Sequence, residues 1–232
     1  MSDPRAVRAM FARIARRYDL LNRLLSCGVD RRWRRALVRE LGDVRGALLV
    51  DSCCGTGDLS LALARAGARV LGVDFTPEML SRARGKAAGG AARFVAGDAL
   101  ALPLGDASAD AATVAFGIRN VSDRARGLRE MRRVVRPGGA VVVLEFSLPR
   151  GRVTGALYRF YFTRVLPRVG GWISADASAY RYLPDTVLAW PTPRELQAEM
   201  ERAGLERCGY RLLSGGIACL SYGRVPAAGA GA

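Results

Sequence analysis

Between residues 47 and 146 the chain alternates short apolar runs with segments whose apolar residues recur at helical spacing. Continuous apolar runs of this length are typical of strands that are covered on both faces. The predicted strands lie at residues 47–50, 70–73, 93–96, 110–116 and 140–146. Helical spacing links Leu59 to Leu63 in one intervening segment and Leu128 to Met131 in another. Strands that alternate with helices predict an α/β fold with a parallel sheet.

Further elements are predicted on both sides of this region. The apolar residues of Phe11–Leu25 share one helical face, with arginines off it, and a second basic helix is predicted at Asp30–Leu41. Such basic amphipathic helices either lie on an anionic membrane or pack on the domain, and the pattern leaves both open. On the carboxyl side, the pattern predicts a helix over Pro193–Ala203. Two apolar runs around Ser214–Gly216 then indicate an antiparallel hairpin.

An aromatic insert separates the fifth predicted strand from the carboxyl-terminal helix. Arg136–Gly139 is predicted to end the preceding helix and turn into that strand, and the insert follows at about 150–190. Its aromatic residues are Tyr158, Phe160, Tyr161, Phe162, Trp172, Tyr180 and Tyr182. An apolar, aromatic and basic segment at the carboxyl end of a strand favours a lid over an apolar substrate. A plain pair of packing helices is the alternative.

The length of 232 residues favours one domain with a sizeable core. We assign residues 1–45 to an amino-terminal basic helical cap and 46–224 to the α/β domain, which includes the insert. Residues 225–232 are mostly small and are predicted to form a disordered tail. No apolar stretch reaches the roughly 18 residues of a membrane-spanning helix, and the early arginines lack the apolar core of a secretory signal.

The chain is strongly basic, with a net charge of +15, and only one of its 36 basic residues is a lysine. Residues 1–46 hold 12 arginines against 5 acidic residues. This excess predicts an anionic partner, which is a nucleic acid, a phospholipid surface or an acidic substrate. The five cysteines form no C-x-x-C pair, which indicates free thiols in a reducing cytoplasm. Because the chain has no histidine, no histidine-built metal site is predicted.

Candidate ligand-binding residues are concentrated in residues 50–58, Val-Asp-Ser-Cys-Cys-Gly-Thr-Gly-Asp. This segment follows the first predicted strand and precedes a helix. A strand, a glycine turn and a helix present backbone N–H groups to a nucleotide-like ligand, so Gly55 and Gly57 are candidate binding residues. Asp74 ends the second predicted strand, 19 residues after Gly55. A carboxylate there is placed to accept hydrogen bonds from both ribose hydroxyls. The pattern therefore predicts an adenosine-containing ligand.

Three kinds of nucleotide loop compete for this turn. A P-loop is excluded because no lysine follows either glycine. A dinucleotide loop needs a third glycine where Ser60 stands, and it would set Asp58 against a pyrophosphate. S-adenosylmethionine, with its sulfonium and amino group, favours acids at Asp51 and Asp58 and a ribose acceptor at Asp74. A generic βαβ turn with surface acids remains the alternative.

The next two strand ends carry further candidates. Asp98 ends the third predicted strand, where its carboxylate is placed to reach an adenine amino group. Gly117–Asn120 ends the fourth. Because ligands bind at the carboxyl ends of parallel strands, both positions belong to the predicted site.

Four segments resemble one enzyme family. They are residues 18–22 (YDLLN) with 26–33 (SCGVDRRW), residues 116–121 (FGIRNV) with 133–146, residues 166–168 (LPR), and residues 179–183 (AYRYL). Over residues 8–224 the chain resembles the ubiquinone/menaquinone biosynthesis C-methyltransferases. The resemblance implies a class I, Rossmann-like methyltransferase fold with a seven-stranded, mostly parallel sheet whose last strand is antiparallel. It also implies S-adenosylmethionine-dependent methylation of a ring carbon of a polyprenylated quinol.

By the same resemblance the cofactor contacts are Thr56, Asp74, Asp98, Ala99 and Ala115. The chain departs from the family pattern in a few places. Asp30 stands where members commonly carry histidine. Cys53 and Cys54 stand where members carry alanine or glycine, and a serine is common at position 115.

Methyl transfer to a ring carbon requires a deprotonated neighbouring hydroxyl and later loss of the ring proton. We predict that Arg119 stabilises the phenolate or orders a water that takes the proton. Tyr18 is predicted to donate to a quinol oxygen. Asp19 or Asp176 is the candidate base, with helix capping or an arginine pair as the alternative for Asp19.

Other acceptors are also considered. A nucleic-acid methyltransferase is disfavoured because residues 116–119 contain neither an Asp/Asn-Pro-Pro-aromatic element nor a Pro-Cys nucleophile. A phospholipid N-methyltransferase and a non-catalytic binding module remain alternatives. The expected partners are a membrane-borne polyprenyl quinol and an anionic membrane surface, at the cytoplasmic face, with no nucleic acid. The sequence leaves open a naphthoquinol or benzoquinol ring, the tail length and the oligomeric state, a homodimer included.

Overall fold

The computed structural model describes residues 4–15, 18–20, 26, 28–87, 90, 92–149, 151, 155, 160, 164 and 186–227. Its helices are α1 (Pro4–Ile14), α2 (Asp30–Leu41), α3 (Asp58–Arg65), α4 (Pro77–Lys86), α5 (Arg124–Val134) and α6 (Pro193–Arg202). Its strands are β1 (Leu48–Ser52), β2 (Arg69–Asp74), β3 (Ala92–Ala96), β4 (Ala109–Ala115), β5 (Val135–Phe146), β6 (Glu206–Leu213) and β7 (Ala218–Arg224). Short 3₁₀ turns lie at Ile118–Asn120 and Ser214–Gly216.

The strands form one seven-stranded sheet in the order β3-β2-β1-β4-β5-β7-β6. β1 pairs in parallel with β2 on one side and with β4 on the other. The β2–β3 pair and the β4–β5 pair are also parallel. β7 is antiparallel to both of its neighbours, β5 and β6. The strand order changes direction between β1 and β4, because β2 and β3 are added on one side of β1 and β4 and β5 on the other. In parallel sheets of this kind, ligands bind at that point, outside the carboxyl ends of the strands. The predicted fold class is confirmed.

Each face of the sheet carries its own apolar core. One core packs α2, α3 and α4 against the sheet around Leu37, Leu63 and Leu80. The other packs α5 and α6 around Leu128 and Met200. Nearly continuous burial along β1, β4 and β5 follows from this double cover and accounts for their apolar sequences.

Local signals set the helix ends. Thr192 and Glu195 form a capping box at the start of α6, and Asp123 accepts a hydrogen bond from the Arg126 N–H at the start of α5. The guanidinium of Arg124 then donates two hydrogen bonds, of 2.5 and 2.6 Å, to the carboxylate of Glu199. This bidentate pair joins α5 to α6 on one face of the sheet.

The predicted strands, the helix at residues 193–203 and the terminal hairpin are confirmed. One detail differs, because β5 begins at Val135 rather than after a turn at residues 136–139. Its pairing with β4 jumps from Ala109–Val135 to Ala111–Ala140, so the Arg-Pro-Gly-Gly segment bulges out of the strand. A proline cannot donate to the ladder, which confines it to such an irregularity.

The amino-terminal prediction was wrong in its bounds. α1 begins at Pro4 and ends at Ile14, with Ala15 in a turn, so Phe11–Leu25 is not one continuous helix. Residues 18–20 are helical again, and a tertiary contact holds them, since Asp19 accepts a hydrogen bond from the Thr56 hydroxyl in the glycine turn. The second predicted helix, Asp30–Leu41, is confirmed.

Several predictions fall outside the described residues. These are the named aromatic residues of the insert apart from Phe160, the candidate base Asp176, the segments 166–168 and 179–183, and the tail from residue 228 onward. Val225 belongs to the predicted tail, yet it is buried and exchanges backbone hydrogen bonds with Gly138 and Gly139. None of the helices in the described part of the chain is long and apolar enough to cross a membrane.

Candidate cofactor and substrate site

An open cavity lies at the carboxyl ends of β1, β2 and β4. Its polar lining includes Asp51, Thr56, Asp58, Asp74, Asp98, Asn120 and Ser122. Its apolar lining includes Phe11, Leu59, Val73, Phe75, Met79, Ala99, Leu100, Ala115, Phe116 and Val121. The structure therefore brings the predicted cofactor residues to one cavity, together with Tyr18 from the amino-terminal segment.

The glycine turn needs its small residues for close approach. Gly57 has a φ of +81°, and a Cβ there would lie 2.8 Å from the ring of Phe94, so any other residue would strain the backbone and press on that ring. Gly117, at the end of β4, lies against Cys53 so closely that a Cβ would overlap the Cβ of Cys53. Cys53 and Phe116 themselves have positive φ angles, of 52° and 59°. Left-handed backbone at two non-glycine residues is typical of a ligand site.

Asp51 lies at the floor of the cavity, 1% exposed. Its carboxylate accepts hydrogen bonds from the Ser60 hydroxyl at 2.5 Å and the Thr113 hydroxyl at 3.3 Å. Burial raises the pKa of Asp51 to about 7, against the opposing effect of those two hydroxyls. A cationic group in the cavity would lower the pKa again and hold the carboxylate in its charged form.

Asp74 ends β2 and stabilises the turn directly. One carboxylate oxygen accepts the Gly55 N–H at 2.9 Å and the other accepts the Thr76 N–H at 2.8 Å. Burial raises the pKa of Asp74, while these two backbone donors oppose the change. Each oxygen keeps a second lone pair, so the side chain can still accept from ligand hydroxyls.

The adenine end of the predicted site lies on the loop after β3. Asp98 is exposed and lines the cavity, and one of its oxygens accepts the Leu100 N–H at 2.9 Å. Ala99 lies beside it, and Ala115 contributes from the end of β4. At position 115 the methyl group offers no hydrogen bond, so only the backbone there can contact a polar ligand.

The amino-terminal segment meets the glycine turn through charged side chains. Asp19 accepts the Thr56 hydroxyl at 2.5 Å with one oxygen and pairs with the Lys86 ammonium at 2.8 Å with the other. The same ammonium pairs with Asp58 at 2.7 Å. Asp19 is therefore held between the turn and the end of α4, and its predicted role as a base stays a prediction.

Aromatic residues form part of the cavity wall. Tyr18 packs edge-on against Phe11, with 6.0 Å between the ring centroids. Phe116 packs against Phe146 at 4.7 Å and Trp33 at 5.9 Å, behind the cavity. This side of the cavity offers an apolar surface to a flat ring.

Arg119 lies behind the cavity wall rather than on it. Its guanidinium donates hydrogen bonds of 2.6 Å to the Phe116 carbonyl and to the Glu145 carboxylate. The same group lies over the ring of Phe146, 5.4 Å from its centroid. Its predicted catalytic role stays a prediction.

Asn120, in the predicted strand end at residues 117–120, does line the cavity. Sequence reasoning missed two residues that the structure places at the site. Arg34 lines the cavity, paired with Asp30 and 5.6 Å from the ring centroid of Phe116. Lys86 contacts two acids at the edge of the cavity, and its being the one lysine in the chain was the available signal. The contact of Arg34 with Phe116 joins distant parts of the chain and left no local signal.

The charge of the lining selects the ligand. Four carboxylates line the cavity, and Arg34 is the one basic residue among its described lining residues. This set disfavours a diphosphate and fits a ligand with a positive charge, a ribose and a purine. Asp51, Asp74 and Asp98, with the N–H groups of the turn, are the residues that would hold S-adenosylmethionine. The fold and this site together define an S-adenosylmethionine-dependent methyltransferase.

Comparison with known sequences gives the family. The profile of the ubiE/COQ5 methyltransferase family matches residues 1–224, and the chain belongs to that family. It is 50% identical over 222 residues to the demethylmenaquinone methyltransferase of Deinococcus radiodurans, covering 94% of this chain and 92% of that one. It is 49% identical to the demethylmenaquinone methyltransferase of Thermus thermophilus, covering 94% of this chain and all of the other. A ubiquinone/menaquinone biosynthesis C-methyltransferase UbiE from a Geobacter species is 46% identical over 94% of this chain and 95% of that one.

Solved structures support the fold independently of the sequence. A putative methyltransferase bound to the Trm112 activator of Haloferax volcanii has a TM-score of 0.70 at 17% identity, with 93% of this chain and 97% of that chain covered. A methyltransferase from Thermotoga maritima, described as a possible histamine N-methyltransferase, has a TM-score of 0.67 at 20% identity, with 93% and 98% covered.

Proposed function

We propose that this enzyme methylates a ring carbon of a polyprenylated quinol, converting demethylmenaquinol to menaquinol. Relatives that are 45–50% identical over nearly the whole chain carry the name demethylmenaquinone methyltransferase. Others carry the name of the ubiquinone/menaquinone C-methyltransferase, so the benzoquinol of the ubiquinone pathway is the second acceptor to test.

The observation that carries the proposal is that one cavity is lined by both carboxylates and aromatic rings. Asp51 and Asp74 line it together with Phe11, Tyr18 and Phe116. A cavity with both kinds of lining favours a polar cofactor beside a flat, apolar acceptor. Phe116 has a left-handed backbone conformation, with a φ of 59°, which is typical of a ligand site.

On the cofactor side, the protein contributes fixed acceptors and donors. When bound, S-adenosylmethionine supplies a methyl group activated by a sulfonium. Asp74 and the Gly55 N–H are locked to each other and so are preorganised, and Ser60 and Thr113 orient Asp51 in the same way. Preorganised groups of this kind position a reactant without further loss of entropy.

On the acceptor side, the protein must favour a ring phenolate and take away the ring proton. Tyr18 is the hydroxyl donor that we assign to a ring oxygen, since it lines the aromatic part of the cavity. Arg119 supports the same loop from behind, through the Phe116 carbonyl, and we assign it to phenolate stabilisation or to ordering the water that accepts the proton. Asp19 is the assigned base, although its carboxylate is bound to Thr56 and Lys86 in the structure.

Methyl transfer to matched acceptors tests the proposal. The enzyme is incubated with methyl-labelled S-adenosylmethionine and with demethylmenaquinol, the ubiquinone-pathway benzoquinol, phosphatidylethanolamine or RNA. We expect label in menaquinol at a rate well above that of the other three. Label in phosphatidylethanolamine alone would revive the phospholipid alternative, which the relatives do not favour, and label in RNA would overturn the quinol proposal outright.

We also propose that the enzyme binds the anionic cytoplasmic face of a membrane, where its acceptor resides. Four exposed arginines on the outer face of α2 support this: Arg31, Arg32, Arg35 and Arg39. Their neighbours Trp33 and Leu37 are buried against the sheet, so the helix presents its basic side outward. Clustered arginines near an anionic bilayer each add attraction that salt screens.

Sedimentation with vesicles of anionic and of zwitterionic phospholipid tests membrane binding. We expect the enzyme to pellet with anionic vesicles at low salt and to be released by high salt. Replacing Arg31, Arg35 and Arg39 by glutamine should release it at lower salt. The matched control replaces Arg202, Arg207 and Arg224 on α6, β6 and β7, which removes the same charge elsewhere. No pelleting at low salt, or equal loss in both triple variants, would overturn the proposal.

A further inference from the structure

Four side chains join the amino-terminal segment to the glycine turn, and we name this cluster the Lys86 latch: Asp19, Thr56, Asp58 and Lys86. The Lys86 ammonium pairs with Asp19 at 2.8 Å and with Asp58 at 2.7 Å. The second oxygen of Asp19 accepts the Thr56 hydroxyl at 2.5 Å. The latch therefore links three separate segments, namely residues 18–20, the turn before α3 and the last residue of α4.

The arrangement differs from an ordinary surface ion pair. An isolated exposed pair contributes little, but here one cation lies between two carboxylates that would otherwise repel each other. The three charged side chains are between 26% and 30% exposed, so water screens them only in part. Without the ammonium, repulsion between the carboxylates of Asp19 and Asp58 would favour movement of Asp19 away from the turn.

What the latch positions is part of the cavity. Thr56 and Asp58 line it from the turn, and Tyr18, directly before Asp19, lines it from the opposite segment. α1 also packs on α4, so the amino-terminal segment already lies along the helix that ends in Lys86. The latch thus holds the part of the lining that contains Tyr18 against the part that contains Thr56 and Asp58.

We propose that Lys86 is a positioning residue of the S-adenosylmethionine site, and that bound cofactor favours the closed latch. A cofactor that binds only beneath the closed latch shifts the equilibrium toward closure. Lys86 acts through Asp19, Thr56 and Asp58 and need not touch the cofactor. The inference rests on the methyltransferase function proposed above but is independent of which quinol is the acceptor.

Amine labelling of the wild-type enzyme tests closure directly, because Lys86 is the one lysine in the chain. N-hydroxysuccinimidyl acetate is added with and without saturating S-adenosylhomocysteine, and Lys86 acetylation is followed by peptide mass spectrometry. The terminal amine provides the internal reference. We expect the cofactor product to slow acetylation of Lys86 by at least about fivefold. A change of less than about twofold would overturn the proposal.

Binding of S-adenosylhomocysteine by titration calorimetry tests the positioning role without any acceptor. We expect Lys86→Met to weaken binding about tenfold and Lys86→Arg to restore it to within about threefold, since arginine keeps the charge. Arg45→Met is the control, because it removes the exposed Asp43–Arg45 pair away from the cavity. Wild-type affinity in Lys86→Met would overturn the assignment. If Lys86→Met does not fold, the labelling result on the wild-type enzyme decides the question alone. Since neither measurement uses a quinol, failure of the proposed acceptor leaves both results interpretable.

Discussion

Arg119 and Glu145 form a buried ion pair with a 2.6 Å hydrogen bond, at 6% and 1% side-chain exposure. Burial raises the pKa of Glu145, and Arg119 opposes that change. Arg119 Nε and Glu145 Oε2 have no hydrogen-bond partner among the described residues. Each partner thus keeps one buried polar atom without a hydrogen bond in the described part of the chain, so the pair ties the loop after β4 to β5 at a cost in folding stability. Such a cost is typical of a loop at a ligand site.

Replacing Arg119 alone should therefore damage both stability and turnover. We expect Arg119→Met to lower the free energy of unfolding by about 3–5 kcal/mol, because it leaves Glu145 buried without its partner. Urea unfolding measures this value. The double variant Arg119→Met/Glu145→Met should recover most of the stability. Methyl transfer should stay low in both variants, and recovered turnover in the double variant would show that Arg119 is structural only.

Asp51 should make the cofactor-free enzyme less stable as the pH rises. Its pKa is about 7 in the folded protein against 3.8 for the free side chain, so the folded state binds the proton more tightly. The stability from this group is complete below pH 3.8 and is lost as the pH rises through about 7, by roughly 4 kcal/mol in total.

Asp51→Asn should remove this dependence. We expect the variant to unfold at a higher temperature than the wild type at pH 8, to differ little at pH 4, and to bind S-adenosylhomocysteine more weakly. Thermal unfolding between pH 4 and 8 provides the measurement. Asp43→Asn, at an exposed position, should keep the wild-type slope over pH 5–8. An unchanged slope in Asp51→Asn would refute the assignment.

Asp74 is expected to be essential for cofactor affinity. In Asp74→Asn one oxygen becomes an amide group, which cannot accept the N–H of Gly55 or Thr76, so the turn and the ribose acceptor are both disturbed. We predict that S-adenosylhomocysteine binds at least about 100-fold more weakly, a loss of about 3 kcal/mol. Titration calorimetry measures this, with the exposed residue change Glu78→Gln as control. Affinity within a few-fold of wild type would contradict the role.

Gly117 should tolerate no side chain. Gly117→Ala sets its new Cβ against Cys53, and we expect a loss of about 1–3 kcal/mol in unfolding free energy together with weaker cofactor binding. Adding Cys53→Gly removes the opposing Cβ and relieves a positive φ, so the double variant should recover. Gly85→Ala, in the open part of α4, should be neutral or stabilising. A double variant no better than Gly117→Ala would rule out this contact as the cause.

The sheet and the acidic residues of the turn were predictable because their signals are local. A strand buried on both faces needs a continuous apolar run, and a glycine turn between a strand and a helix has few alternatives. The position of residues 18–20 was not predictable in the same way. It depends on Asp19 meeting Lys86, 67 positions later, and no helical periodicity reports such a contact. The partner of Arg119 was hidden for the same reason, since Glu145 belongs to the next strand.

The place where Val225 joins Gly139 has a practical consequence. This contact lies at the amino end of β5, whereas the cavity lies at the carboxyl ends of the strands. An affinity tag or surface linker attached after Val225 would leave the mouth of the cavity open. Immobilised assays of this enzyme are therefore best oriented through its carboxyl end.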